Sequence, residues 1–438
     1  MLTNHKKAEE IVNKVNNESH PLESGKDLDP FIEQIGDAKY VLLGEASHGT
    51  HEYYTWRTAI SKRLIEEKGF NFIAVEGDWP DCYRLNRYVK NYSDSGKSAL
   101  DVLRGFNRWP TWMWANWEVV ALAEWLEKHN KRLAVNKKVG FYGLDVYSLG
   151  ESLEAILDYL QQEDPKAYDT ARKAAFCFEP FGYEGSDYAR HTRLVPESCE
   201  NEVVDLLKEI REKIPQYNTD HETVFSTEQN AHVAVNAEHY YRTMVSAGPK
   251  SWNIRDHHMT DTLDRLMNFH GENAKTIVWE HNTHIGDARA TDMARHGLIN
   301  VGQLVTERNP EDDVVKVGFG SYKGSVIAGR EWGDVMREMN LPKGKTGSWE
   351  AILHQSGAND KLLIMNEWKG DPLFEQQIDH RAVGVVYHPE NESYGNYVPT
   401  IIPYRYDAFI FIDESRALHP LHIKPDGHEM PETYPWGV

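Results

Sequence analysis

Short runs of β-branched and aliphatic residues alternate along this chain with longer stretches in which apolar positions recur every three or four residues. The first pattern suits buried strands and the second amphipathic helices. Their alternation predicts an α/β fold with a mainly parallel sheet. Strands are expected over residues 40–44, 72–76, 139–144, 276–280, 314–318, 382–387 and 409–413. Between Tyr147 and Arg255 the alternation stops: no strand is expected, and 152–160, 200–214 and 224–245 read as amphipathic helices. The chain therefore divides into a first part of the α/β core at 1–146 and a helical insertion or lid at 147–255. A second part of the core follows at 256–418, then an irregular tail at 419–438 marked by Pro420, Pro425, Pro431 and Pro435.

Four of the expected strands end in an acid: Glu45, Glu76, Asp145 and Glu280. Ligands of open α/β sheets bind outside the carboxyl ends of the strands, so these carboxylates are expected at one rim. Two of the ends run on into histidines, Glu45-Ala46-Ser47-His48-Gly49-Thr50-His51 and Glu280-His281-Asn282-Thr283-His284, and Tyr387-His388 is a further candidate end. Glycines on both sides of His48 suggest a sharp turn from strand to helix with the ring exposed at its apex. An imidazole there can take a proton from water while a neighbouring carboxylate orients the ring. The competing reading is a histidine that merely caps the next helix. Arg57 lies two turns beyond Thr50, so its guanidinium can reach back to pair with a carboxylate or meet an oxyanion. A surface salt bridge is its plainer reading.

Composition narrows the partners. The 438 residues hold 48 Lys+Arg against 68 Asp+Glu, a formal charge of -20, which repels a phosphate backbone and makes nucleic acid a poor partner. Cys82, Cys177 and Cys199 form no CxxC pair, so a disulfide framework is not expected and a reducing compartment fits best. The amino terminus has no apolar signal segment, and the longest apolar runs are strand-sized. These features predict a cytoplasmic protein acting on a small molecule, away from membranes.

Several chemistries lack their motif. There is no Gly-x-Ser-x-Gly elbow, since Glu45 stands where its first glycine belongs. Gly344-Lys345-Thr346 lacks the leading glycine of a phosphate loop, and Gly318-Phe319-Gly320 is followed by Gly324 one residue late for a dinucleotide fingerprint. His-Glu-x-x-His is absent, although His281-x-x-His284 with strand-end acids keeps a zinc-dependent reading open. Trp109-Pro110-Thr111-Trp112-Met113-Trp114-Ala115-Asn116-Trp117 can line a cleft for an apolar ligand or simply pack a helix onto the sheet.

Taken together, the residues resemble the erythromycin esterase family. The resemblance rests on Gly44-Glu45-Ala46-Ser47-His48-Gly49, Glu76-Gly77-Asp78-Trp79-Pro80 and Gly143-Leu144-Asp145. It continues through Tyr240-Tyr241-Arg242, Trp252-Asn253-Ile254-Arg255-Asp256 and His281-Asn282-Thr283-His284-Ile285-Gly286-Asp287-Ala288. Arg381-Ala382-Val383-Gly384-Val385-Val386-Tyr387 and Tyr406-Asp407-Ala408 extend it, so that it spans residues 27–415 in order. It implies a three-layer α/β/α core with a helical subdomain. It also implies hydrolysis of a carboxylic ester, such as a macrolide lactone, by activated water, with no serine intermediate, metal or other cofactor. On that resemblance His48 is the base, with Glu45 beside it. Glu76 and His284 position water and ester, and Arg57 stabilises charge. Substrate contacts are expected from His281, Glu280, His51, Asp145 and Trp112. On the residues alone, a metal-dependent hydrolase or a binding protein for an apolar ligand remains an alternative.

Overall fold

Tyr40, Val41, Leu42 and Leu43 are all buried, as a parallel strand covered on both faces requires. The computed structural model describes residues 2–181, 185–194, 198–217, 220–244 and 249–422. In chain order its strands are β1 (His20–Pro21), β2 (Tyr40–Leu43), β3 (Phe72–Asp78), β4 (Gly140–Asp145) and β5 (Thr276–Trp279). There follow β6 (Val314–Ala328), β7 (Arg337–Leu341), β8 (Lys361–Ile364), β9 (Ile378–Arg381), β10 (Tyr397–Thr400) and β11 (Ala408–Ser415). The chain forms two units, one of Met1–Ile73, Arg87–Gly140 and His270–Val438, the other of Ala74–Asn86 and Phe141–Phe269.

In the first unit β2 pairs in parallel with β5 (Tyr40 opposite Thr276) and with β6 (Tyr40 opposite Val314). β11 adds a fourth parallel strand against β6, with Ala408 opposite Val317. Antiparallel β8, β1 and β7 complete a mixed, mainly parallel sheet of the α/β class. The helix His51–Lys68 follows the β2 turn, and its residues 51–61 are all buried. That burial explains why it has no clear polar stripe and why Arg57 lies inside the protein.

Two of the expected strands change. The segment 382–387 is not a strand. Val383 N–H donates to Ala46 O, whereas Gly329 N–H donates to Val385 O and Tyr387 N–H to Gly329 O, so its bonds are split between two neighbours. The strand expected at 314–318 runs on to Ala328, which puts Gly318, Gly320 and Gly324 inside β6 and excludes a nucleotide-binding loop there. β1, β7, β8, β9 and β10 lie outside the expected strands.

The second unit takes in most of β4 and of the helix Trp79–Val89, which carry partners for its helices. Asn86 Oδ1 accepts Phe141 N–H at 3.0 Å and Asn86 Nδ2 donates to Glu222 at 2.9 Å. Trp79 Nε1 donates to Ser226 Oγ at 3.1 Å. Among the described residues, the stretch after Tyr147 is helical. Leu149, Leu153, Ile156 and Leu160 recur at helical spacing, as do Ala167, Ala171, Ala174 and Phe178, and these stripes build one buried cluster with Val203, Leu206 and Ile210. Each fully buried leucine or isoleucine there contributes about 1.5–3 kcal/mol.

Cys177 and Cys199 are joined in a disulfide in this unit, while Cys82 is a buried free thiol. The expectation of no disulfide is thus corrected: residues 22 apart in sequence meet because helices Pro165–Phe178 and Glu200–Lys213 share one core. Such bonds persist in oxidising compartments, so the cysteine count no longer argues for a reducing one. No helix among the described residues is long and apolar enough to cross a membrane. Of the tail expected at 419–438, everything after His422 lies outside the described residues.

Candidate active site

The end of β2 is fitted to its neighbours with no spare room. A Cβ on Gly44 would come within 2.1 Å of Asn282 Oδ1, and one on Gly49 within 2.0 Å of Ile327 O. Neither glycine has a positive φ, so close approach rather than turn geometry demands them. Hemmed in this way, His48 is buried at 7% exposure, not exposed as the two glycines suggested. Its Nδ1 lies 2.9 Å from Glu45 Oε1. Arg57 Nη2 donates to the other oxygen, Oε2, at 2.8 Å. One carboxylate is therefore shared between an imidazole and a guanidinium. Arg57 has no exposure and lies over the rings of Tyr54 (4.3 Å) and Trp279 (4.7 Å), an aromatic sleeve suited to a planar cation. Burial pushes the Tyr54 hydroxyl well above its usual range.

The Glu280–His284 block is seated beside it. Asn282 N–H donates to Glu45 O at 2.8 Å, and the Asn282 side chain exchanges hydrogen bonds with the Phe319 backbone. Its Nδ2 also faces His380 Nε2 at 3.3 Å, and His380 Nδ1 is 2.7 Å from Glu350. Burial lowers the His380 pKa. His281 stands with its ring centroid 4.9 Å from that of His48. Its Nδ1 lies 3.2 Å from the Thr283 amide nitrogen and 2.8 Å from Thr283 Oγ1. Glu280 and His284 are buried in the same block. Ser47, the one serine of the turn, has its hydroxyl 2.5 Å from Thr50 Oγ1.

In the second unit, Arg255 brings Glu76 and Asp145 together. Its Nη2 is 2.7 Å from Glu76 Oε1 and 2.6 Å from Asp145 Oδ2, and its Nε donates to Asp145 Oδ1 at 2.9 Å. The guanidinium lies 4.8 Å above the Tyr147 ring. Burial works against its charge, but Asp145, Tyr147 and Glu76 more than offset that and raise its pKa well above the usual value. Arg255 was visible in the sequence only as part of a family block. Nothing in local spacing links residue 255 to residues 76 and 145.

The remaining residues lie elsewhere. His51 is fully buried with Nδ1 2.5 Å from Glu118 Oε1, and His419 Nδ1 reaches the same oxygen at 2.7 Å. Burial raises the Glu118 carboxyl, but hydrogen bonds from His419 and His51 outweigh it and hold the group at about 2. Trp112 is fully buried and meets Trp109 edge to face at 5.4 Å. His388 is 43% exposed, with Glu390 beside it at 3.7 Å. It does not join the imidazoles at the β2 end.

A mainly parallel α/β sheet thus carries a buried imidazole–carboxylate–guanidinium set past the end of β2. The sequence profile of "Erythromycin esterase" matches residues 65–415, and the chain belongs to that family. It is 24% identical over 379 residues to "Erythromycin esterase type II" of Escherichia coli, covering 79% of this chain and 85% of the relative. A Bacillus subtilis (strain 168) protein named as a hydrolase is 20% identical over 414 residues, covering 89% and 86%. Among solved structures, a Bacillus cereus protein matches with a TM-score of 0.78 at 20% identity, covering 94% of this chain and 98% of that one. A mutant of the erythromycin esterase EreC in its open conformation matches with a TM-score of 0.65 at 15% identity, covering 89% and 94%. These structures share the fold with this chain.

Proposed function

We propose that this protein hydrolyses a carboxylic ester of a small molecule, with the lactone of a macrolide as first candidate, by general-base activation of water. The observation that carries the reading is Glu45, held between His48 Nδ1 and Arg57. An ionised Glu45 keeps the His48 proton on Nδ1, so Nε2 is the basic nitrogen. His48 Nε2 takes a proton from water as the hydroxide adds to the ester carbonyl. The resulting imidazolium is stabilised by Glu45. His281 donates to the oxyanion. Collapse of the tetrahedral adduct breaks the C–O bond, and the imidazolium returns its proton to the leaving alkoxide. The products are a carboxylic acid and an alcohol, which for a lactone is one ring-opened molecule.

Arg57 acts here through Glu45, fixing the carboxylate rather than touching substrate. His284 is assigned to positioning water and the ester, and Glu280 to substrate contact. Asp145 and Glu76, gathered by Arg255, form a charged group within the second unit. Trp112 has no exposed surface, so its part is to support the fold beneath more exposed aromatic residues.

Against a macrolide, the reaction would inactivate an antibiotic. The test incubates the protein with a macrolide panel and a panel of simple esters, reading the gain of one water by mass spectrometry. Hydrolysis by the parent protein and its loss in His48→Gln are expected. A panel untouched by folded parent protein sinks the ester reading, and turnover of simple esters alone removes the macrolide assignment. We also place the reaction in the cytoplasm, a reading that the Cys177–Cys199 bond of the structure opposes. Thiol counting on protein extracted under alkylating conditions tests that placement.

A further inference from the structure

Glu118, His51 and His419 come from three distant stretches of the first unit. Glu118 is the second residue of the helix Trp117–Asn130, and His51 is the first of the helix His51–Lys68. The backbone holds the third stretch against both. His51 N–H donates to Arg416 O (2.8 Å), Leu418 N–H to Gly49 O (3.0 Å), and Trp117 N–H to His419 O (3.0 Å). Pre-set donors on rigid elements are what a metal site needs.

The donor set is suited to a borderline cation. Two imidazole Nδ1 atoms and one carboxylate oxygen lie within 4.8 Å of one another. Two imidazoles and a carboxylate are a recurrent zinc set that leaves a fourth position open. His51 and Glu118 side chains are each 1% exposed, whereas His419 is 43% exposed and gives an ion a way in from solvent. Glu118 Oε2 is buried with no hydrogen-bond partner. A cation held by both carboxylate oxygens would give Oε2 the partner it lacks. Tetrahedral bonds of about 2.0–2.1 Å place ligand atoms ~3.4 Å apart. The two Nδ1–Oε1 separations of 2.5 and 2.7 Å would each open by less than ~1 Å.

We propose that His51, Glu118 and His419 form a binding site for one zinc-type divalent cation, which clamps the 416–421 segment onto the Gly49 turn. The site is separate from the Glu280–His284 block and does not depend on the ester reading. Its effect on His48 would be one of position, because Leu418 is bonded to Gly49, the residue next to His48.

The test strips the full-length protein with a chelator and dialyses it to equilibrium against Zn²⁺. His419→Ala is the main variant, since that side chain is already partly exposed, and His388→Ala is the surface control. One equivalent of zinc and a rise in Tm are expected for the parent and the control. His419→Ala should weaken zinc by more than the roughly 10–100-fold that loss of an outer-shell partner costs, and abolish the Tm rise. Co²⁺ loading should give tetrahedral visible bands in the parent that vanish in His419→Ala. The proposal falls if the parent binds no zinc, or if zinc binding and the Co²⁺ spectrum are the same in His419→Ala.

Discussion

His48 and Glu45 lie three residues apart in sequence and 2.9 Å apart in space, with ring Nδ1 on the carboxylate oxygen. In an extended strand their side chains would point to opposite faces, so the contact exists only because the chain turns at Ala46 and Ser47. Val383 N–H donating to Ala46 O at 2.8 Å helps to hold that turn.

Replacing His48 with glutamine should remove general-base assistance, typically ~10²–10⁴-fold in rate. The fold should survive, because glutamine can still donate towards Glu45. Turnover and Tm measured on one preparation check this. A folded variant with parental turnover would overturn the assignment.

Arg57→Ala leaves Glu45 buried without its guanidinium. Breaking a buried pair by removing one partner costs about 3–5 kcal/mol. Arg57→Lys should fall between, because a point charge cannot both stack on Tyr54 and Trp279 and keep the Glu45 contact. Urea denaturation of the three proteins gives the order, which should be parent, Lys, Ala. An alanine variant as stable as the parent would show that the ion pair is not needed.

In the second unit, Arg255→Ala should cost a similar ~3–5 kcal/mol, since it leaves Glu76 and Asp145 as neighbouring buried acids without their shared cation. Adding Asp145→Asn removes one of those charges and should recover part of the loss. A double variant less stable than Arg255→Ala alone would contradict the shared-cation account.

His258 makes stability depend on pH. Burial lowers it from 6.5 to about 4, and its ring faces Asn236 Nδ2 at 2.9 Å. Between those two values the unfolded chain holds a proton that the folded one does not, so stability rises with pH. Acidification from 6.5 towards 4 should therefore destabilise the fold, by up to about 3 kcal/mol from this group. Denaturation midpoints across that range should flatten in His258→Gln. An equally steep dependence in the variant would assign the effect to other groups.

The sequence by itself determined the alternation of strands and helices, the helical stretch after Tyr147 and the acids at four strand ends. Each is a local pattern of side chains that period and turn chemistry make visible. Tertiary structure alone decided who meets whom. It paired Arg57 with Glu45 and set Asn282 against Gly44. It also gathered Glu76 and Asp145 on Arg255, which is 179 residues from Glu76. The burial of His48, the length of β6 and the Cys177–Cys199 bond belong to the same group. A side chain's partner is fixed by the packing of remote segments, and the periodicity of a stretch records which face it buries but not what lies opposite.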